Sequence, residues 1–268
     1  MPILKIENAT KVFNLSGNIE DRRVALDNLT LEVEEGEWIT IIGGNGSGKS
    51  TLMNIISGVH LLEQGSIYIN GENVTKYPEY KRAKYLGRVF QDPNMGTAGK
   101  MSIEENLSIA YRRTSRSTLR WGFDKKKHEL FKEKLSILNL GLDNRISQRV
   151  GLLSGGQRQA VTLIMATINE PKILLLDEHT AALDPKTAKI VLDITEKIVT
   201  SSKITTLMIT HNMKDAIKYG NRLIMLNEGK IVFDIKGEEK KKLTAESLLQ
   251  KFDENQDIVF DDKLILSK

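Results

Sequence analysis

The chain has 268 residues, 40% hydrophobic and 28% charged, enough to bury a sizeable core as one globular domain or as a core with an insert. It has no cysteine, which excludes disulfides and thiolate-bound metals. The net charge of +4 suits an anionic partner or a membrane surface, and equally a mildly basic soluble protein.

The opening MPILKIENATK turns polar too early for a secretory leader. The longest apolar runs, such as ILLL at 173–176, fall far short of the ~18 residues that span a bilayer, so a chain soluble by itself is expected. ILKIENATKVF (3–13) alternates in part, as an edge strand does. WITII (38–42) is apolar and β-branched with no polar face, the pattern of a strand buried on both sides in a parallel sheet. It runs into GGNGSGKS, and TLMNIISGV then has helical spacing. SIYIN followed by NG at 70–71 predicts a strand and a tight turn. YLGRVFQDP (85–93) predicts a further short strand.

From about 94 to 160 the spacing becomes helical, as in MSIEENLSIAYRR and KKKHELFKEKLSILNL, which predicts a helical subdomain inserted into an α/β core. KILLLDE (172–178) is a buried strand ending in two carboxylates. There follow a helix over about 185–200, the strand ITTLMIT (204–210), the helix HNMKDAIKYG and the hairpin RLIMLNEGKIVFD. Strands alternating with helices predict a mainly parallel sheet. The tail from about 237 holds one helix, LTAESLLQKF, and a polar end.

GGNGSGKS (43–50) fits G-x-x-x-x-G-K-[ST], between a buried strand and a helix. In such a loop glycines let backbone N–H groups converge on phosphate oxygens. Lys49 supplies a charge for the β- and γ-phosphates and Ser50 a hydroxyl for Mg²⁺. Asp177, at the end of ILLLD, is placed to hold Mg²⁺ through water, and Glu178 to polarise an attacking water. A histidine after a parallel strand, His211, can hydrogen-bond a γ-phosphate. The Gln91 amide can reach Mg²⁺ or its waters, although taken alone it reads as a surface residue. Ser154 is a good N-cap with Gly155 and Gly156 behind it, and the helix it opens is predicted to run to Pro171. Its start is a second anion site, away from the phosphate loop in sequence.

The ordered set of GGNGSGKS, Gln91, LSGGQ, LLLDE, ALD and His211 closely resembles the ATP-binding subunit of ABC transporters over residues 3–235. The resemblance implies an α/β P-loop NTPase core (1–91 and 161–236) with a mainly parallel sheet and an N-terminal antiparallel β subdomain. It also implies an inserted α-helical subdomain over 92–160 and a short extension over 237–268. ATP and Mg²⁺ are the implied cofactors. Phe13 would stack on adenine. Gly43, Gly44, Asn45, Gly46, Ser47, Gly48, Lys49, Ser50 and Thr51 would form the phosphate loop, and Ser154, Gly155, Gly156 and Gln157 the signature. Ser50, Gln91 and Asp177 would serve the metal. Glu178, His211, Lys49 and Gln91 would serve catalysis, and Asp184 the dimer-contact loop.

The resemblance further implies a head-to-tail pair of identical subunits, with each nucleotide between the phosphate loop of one copy and the signature of the other. Integral permease subunits would dock near Asp92 to Met101, and an extracytoplasmic solute-binding protein would deliver solute to them. The chain would then lie on the cytoplasmic face of the membrane, with no direct nucleic-acid contact. The segments around 91–113 and 174–185 are similar to a bacterial importer subgroup for amino acids such as tryptophan or tyrosine. The alternatives are a soluble ATPase acting on ribosomes or nucleic acid, and an exporter subunit.

Two departures stand out. Gly44 replaces a frequent proline at no cost to the backbone, and His179 follows Glu178 where proline is common. His179 would contact solvent or tune Glu178, with a bland reading preferred to either. The basic stretch 111–127 (Arg112, Arg113, Arg116, Arg120, Lys125 to Lys127, with Trp121 and Phe123) admits contact with lipid headgroups or a permease, contact with nucleic acid, or a solvated loop. The solvated loop is the preferred reading.

Overall fold

The computed structural model describes residues 1–14, 22–113 and 125–253. Most of the basic stretch (114–124) and the polar end (254–268) lie outside these. In chain order the elements are β1 (Leu4–Asn14), β2 (Arg22–Val33), β3 (Trp38–Ile42), α1 (Lys49–Ser57), β4 (Gln64–Ile69), β5 (Glu72–Asn73), α2 (Glu79–Arg82) and β6 (Leu86–Val89). Then come α3 (Ile103–Arg112), α4 (Lys125–Ser136), α5 (Gly155–Thr167), β7 (Ile173–Asp177), α6 (Pro185–Ser202), β8 (Thr205–Ile209) and α7 (Met213–Lys218). The series ends with β9 (Arg222–Asn227), β10 (Lys230–Lys236), α8 (Glu238–Lys241) and α9 (Ala245–Asp253). The chain divides into two compact units. One joins Met1–Arg82 to the described residues from Thr205 onward, and the other is Ala83–Ile204.

The first unit opens with an antiparallel sheet in the order β2-β1-β4-β5. The expected edge strand β1 is therefore an interior strand, hydrogen-bonded to β2 on one side and β4 on the other. Its broken alternation has another cause. The register with β2 slips between Ile6 and Ala9, and again at Lys11 and Val12, with Asn8 at φ 48. Such bulges interrupt the two-residue period that the sequence reading relies on. β2 is not apparent in the sequence, and Asn28, at φ 50, interrupts it in the same way. The turn after β4 follows the sequence expectation. Asn70 and Gly71 both have positive φ, 52 and 77, as a two-residue hairpin turn requires.

β3 lies between two parallel partners, β8 and β9. All five of its residues are buried, which explains the absence of a polar face in WITII. β10 pairs antiparallel with β9, with Glu228 and Gly229 turning the chain at φ 45 and 77. The tail continues this unit. Leu248 of α9 is fully buried in a cluster with Ile42, Met213, Ala216, Leu223 and Met225.

In the second unit β6 and β7 pair in parallel, with Val89 opposite Leu176. α5 approaches β6 closely: a side-chain carbon on Gly87 would lie 2.3 Å from the Ala166 carbonyl oxygen. α5 stops at Thr167 rather than continuing to Pro171, because Glu170 turns into the left-handed region at φ 48. α3 starts with a capping box of Ser102 and Glu105. The buried Asn106 side chain ties Ala98 and Ser102 to that helix. Among the described residues no helix is long and apolar enough to cross a membrane.

Candidate functional site

In the first unit β3 ends at Ile42 and the glycine loop begins at once. Gly43 and Gly48 have φ of 149 and 105, and a side-chain carbon on them would lie 2.2 Å from the Leu226 oxygen and 2.6 Å from the Ala25 oxygen. The loop thus threads between the ends of β9 and β2, at a distance only glycine permits. Ser47 is fastened to the β9–β10 turn, with its carbonyl accepting from Gly229 N–H at 3.0 Å. Its buried hydroxyl oxygen has no hydrogen-bond partner among the described residues.

The buried Lys49 ammonium donates to the Gly43 and Gly44 carbonyls at 2.9 Å each, which brings the charge into the bend of the loop. No side chain caps the start of α1, which opens directly from the glycine loop. Ser50 is exposed there. The other end of α1 is held by a buried cation. The Arg82 guanidinium donates to the Ile55 and Ile56 carbonyls at 2.5 and 3.0 Å, and burial lowers its pKa to about 10.

His211 comes to the same end of the same sheet. β3 and β8 are parallel with Ile41 opposite Ile209, so the glycine loop and His211 leave neighbouring strands at their C-terminal ends. Phe13 lies opposite Arg23 on β2, and the Arg23 guanidinium reaches Gly46 at the loop tip. The Phe13 ring meets His60 edge to face at 5.1 Å, with Lys11 Nζ 5.2 Å from its centroid.

In the second unit the parallel register of β6 and β7 sends Asp177 and the segment leading to Gln91 out of adjacent strand ends. Asp177 accepts from the Arg88 guanidinium at 3.1 Å, in a half-buried pair. Glu178 has φ 47, a left-handed conformation that costs a non-glycine residue of order 1–3 kcal/mol. Its carbonyl opens the next turn by accepting from Ala181 N–H at 2.9 Å.

His179 does not meet solvent. It is 2% exposed, and burial lowers its pKa to about 4. The Thr195 hydroxyl donates to the Val191 carbonyl, so the Nε2–H of a neutral His179 donates to Thr195 at 3.2 Å. The ring is therefore part of the packing of this unit and does not face water.

Ser154 and Gln157 close a capping box at the start of α5, each side chain accepting from the other's backbone N–H. The Gln157 oxygen is thereby committed to the backbone. Asp184 caps α6 in turn, accepting from Thr187 N–H at 3.1 Å. The two helix starts touch, since a side-chain carbon on Gly156 would lie 2.0 Å from Thr187 Cγ2. The signature and Asp184 therefore form one surface.

Sequence reading missed Arg88, Thr187 and Arg158. Arg158, next to the signature, donates to the Asn94 side chain and to the Thr97 hydroxyl, and so ties α5 to the segment after Gln91. None has a signal in the sequence, because their partners are far away along the chain.

The strand, glycine loop and helix, with carboxylates at a second strand end, define a P-loop nucleoside triphosphatase. A family model described as ABC transporter matches residues 26–181. The chain is 46% identical to the tyrosine transport ATP-binding protein of Clostridioides difficile, over 94% of this chain and 99% of that one. It is 31% identical to a phosphonates import ATP-binding protein of Lactobacillus delbrueckii subsp. bulgaricus, over 89% of this chain and 91% of that one. A dimeric ATP-binding cassette in a post-hydrolysis state, bound to ADP and Pi, superposes with a TM-score of 0.74 at 28% identity, covering 87% of this chain and 98% of that one. The chain belongs to the ABC transporter family, as the ATP-binding, ATP-hydrolysing subunit.

Its cofactors are ATP and Mg²⁺, and the residues fit them. The glycine loop is a concavity that side chains would fill, it holds Lys49, and it contains a buried hydroxyl with no partner among the described residues. Ser50 in the first unit and Asp177 in the second each carry a hard oxygen of the kind magnesium takes. When bound, the metal offsets charge on the β- and γ-phosphate oxygens.

Proposed function

We propose that this chain powers import of a small solute, an amino acid with tyrosine as the leading candidate, by hydrolysing ATP as a head-to-tail pair. The pair would dock on integral permease subunits at the cytoplasmic face of the membrane, and an extracytoplasmic binding protein would supply the solute. The observation that carries this reading is the 46% identity over 99% of a tyrosine transport ATP-binding protein. A match of that length leaves little of either chain unaccounted for. The ribosome, nucleic-acid and exporter alternatives are not favoured by these relatives.

In this reading Phe13 stacks on adenine, and the N–H groups of residues 43–51 surround the phosphates. Lys49 offsets charge on the β- and γ-phosphates as the bond breaks. Ser50, Gln91 and Asp177 serve the metal. Glu178 accepts a hydrogen bond from the attacking water and polarises it, and His211 donates to the γ-phosphate. Ser154, Gly155, Gly156 and Gln157 meet the nucleotide held by the other copy, with Asp184 beside them at the contact. Asp92 to Met101 meet the permease. Arg158 grips this segment from the signature helix, a physical basis for linking docking to hydrolysis.

The test is ATP-driven uptake into vesicles carrying this subunit together with a permease and a binding protein that co-purify with it. Labelled tyrosine should accumulate with ATP, and should fail to do so with Glu178→Gln, which should still bind ATP and pair. Uptake of a different solute class with none of tyrosine would overturn the substrate assignment. Near-normal turnover by Glu178→Gln would overturn the role of that carboxylate.

A further inference from the structure

Lys240 is 2% exposed. Its ammonium donates to the Tyr219 carbonyl, to the Gly220 carbonyl at 3.0 Å and to the Thr40 hydroxyl at 3.3 Å. All three acceptors are neutral, and among the described residues no carboxylate pairs with it. Burying an unpaired cation is costly, and burial lowers its pKa to about 8. A residue kept at such a cost needs a reason in its position.

That position is the C-terminal end of α7. Tyr219 is the residue that ends this helix, and Thr40 also donates to the Ala216 carbonyl at 2.8 Å. Lys240 thus sits just past the last turn of α7, where the helix dipole is negative, and reaches that turn through Thr40. The second anchor of the tail, Leu248, lands on the same helix, against Met213 and Ala216.

The other end of α7 begins beside His211. Asn212 caps it, accepting from Lys214 and Asp215 N–H at 2.9 and 3.2 Å. On the strand side, Thr210 N–H donates to the Ile41 carbonyl at 3.2 Å. His211 therefore lies between a fixed strand end and a short helix whose far end and inner face are held by the tail. We infer that the segment 237–248 is a clamp on α7, and that Lys240 and Leu248 are positioning residues that set His211 for hydrolysis. The inference rests on the role given to His211 above.

The test is a double-mutant cycle on the full-length subunit, at concentrations where it pairs. Lys240→Met keeps the aliphatic stem and removes the ammonium. It should lower kcat about tenfold while KM for ATP stays within about twofold, because the phosphate loop is untouched. In a His211→Ala background the same substitution should change kcat by less than about twofold, since the group through which it acts is already gone. Should Lys240→Met fail to fold, Leu248→Ala read in the same cycle replaces it. An unchanged kcat for Lys240→Met, or an equal fall in both backgrounds, would overturn the clamp while leaving His211 its role. Full activity of His211→Ala alone would overturn that role, and the clamp with it.

Discussion

Two helices in this chain start at a glycine-rich stretch, and they start differently. α1 has Gly48 at its N-cap in a left-handed conformation, no side-chain cap, and the Lys49 ammonium folded back onto the loop. α5 has Ser154 at its N-cap in an extended conformation and a complete capping box. The arginine in its first turn, Arg158, is bound to Asn94 and Thr97. The first start has no side-chain cap and adds a full charge. The second satisfies part of its own demand and adds none, so it is a weak anion site alone. A helix start of that kind is suited to completing a phosphate site that another surface has already built, as the proposed head-to-tail pair requires.

The largest effects should separate the two starts. Lys49→Met should lower both ATP affinity and hydrolysis of the isolated subunit, hydrolysis by about a hundredfold or more. Ser154→Arg should lower hydrolysis as far, yet leave ATP binding to the isolated subunit within about twofold. Isothermal titration beside a phosphate-release assay reads both, and collapse of binding in Ser154→Arg would show that α5 serves the phosphate loop of its own chain.

Acid should act next, and on the unit that carries α5. His179 takes up a proton near pH 6.5 when unfolded and only near 4 when folded, so between these values the unfolded chain holds the extra proton. Stability should therefore fall as pH drops from about 6.5 towards 4, by up to roughly 3 kcal/mol, and His179→Gln should remove that slope. Urea midpoints across the range decide it; equal slopes in both proteins would mean that His179 does not titrate in this way.

Smaller still is the contrast between glycines. Gly48→Ala should cost roughly 2–3 kcal/mol with no simple rescue, because it meets both a positive φ and a backbone oxygen. Gly156→Ala meets only the Thr187 methyl, so adding Thr187→Ser should restore most of the lost unfolding free energy. Smallest is Gln157→Ala, which opens the capping box and should cost about 1 kcal/mol in urea titrations. α1 has no equivalent cap to lose.

Much of this was legible from the chain. WITII and KILLLDE are read correctly as buried strands, and ITTLMIT as a strand, because burial on both faces removes the polar alternation. The NG turn is read correctly because few residues tolerate two positive φ angles in succession. β1 was misplaced and β2 missed for one reason: bulges at Asn8 and near Asn28 shift the register, and a period-two pattern cannot be followed across a shift. His179 reads as an oddity beside a carboxylate, and only packing shows it to be buried on Thr195.

The sequence alone determined the class of chemistry. A glycine loop, a lysine and a strand-end carboxylate are local features whose geometry follows from a few adjacent residues. The tertiary structure decided what holds those features in place. Arg82 on α1, Lys240 on α7, Arg158 on the segment after Gln91 and Thr187 against Gly156 all act on groups brought near by folding. Most of those partners are backbone carbonyls or small side chains, which carry no signature in the order of the residues. A buried cation on a helix end looks, in sequence, like any other lysine or arginine on a solvated face.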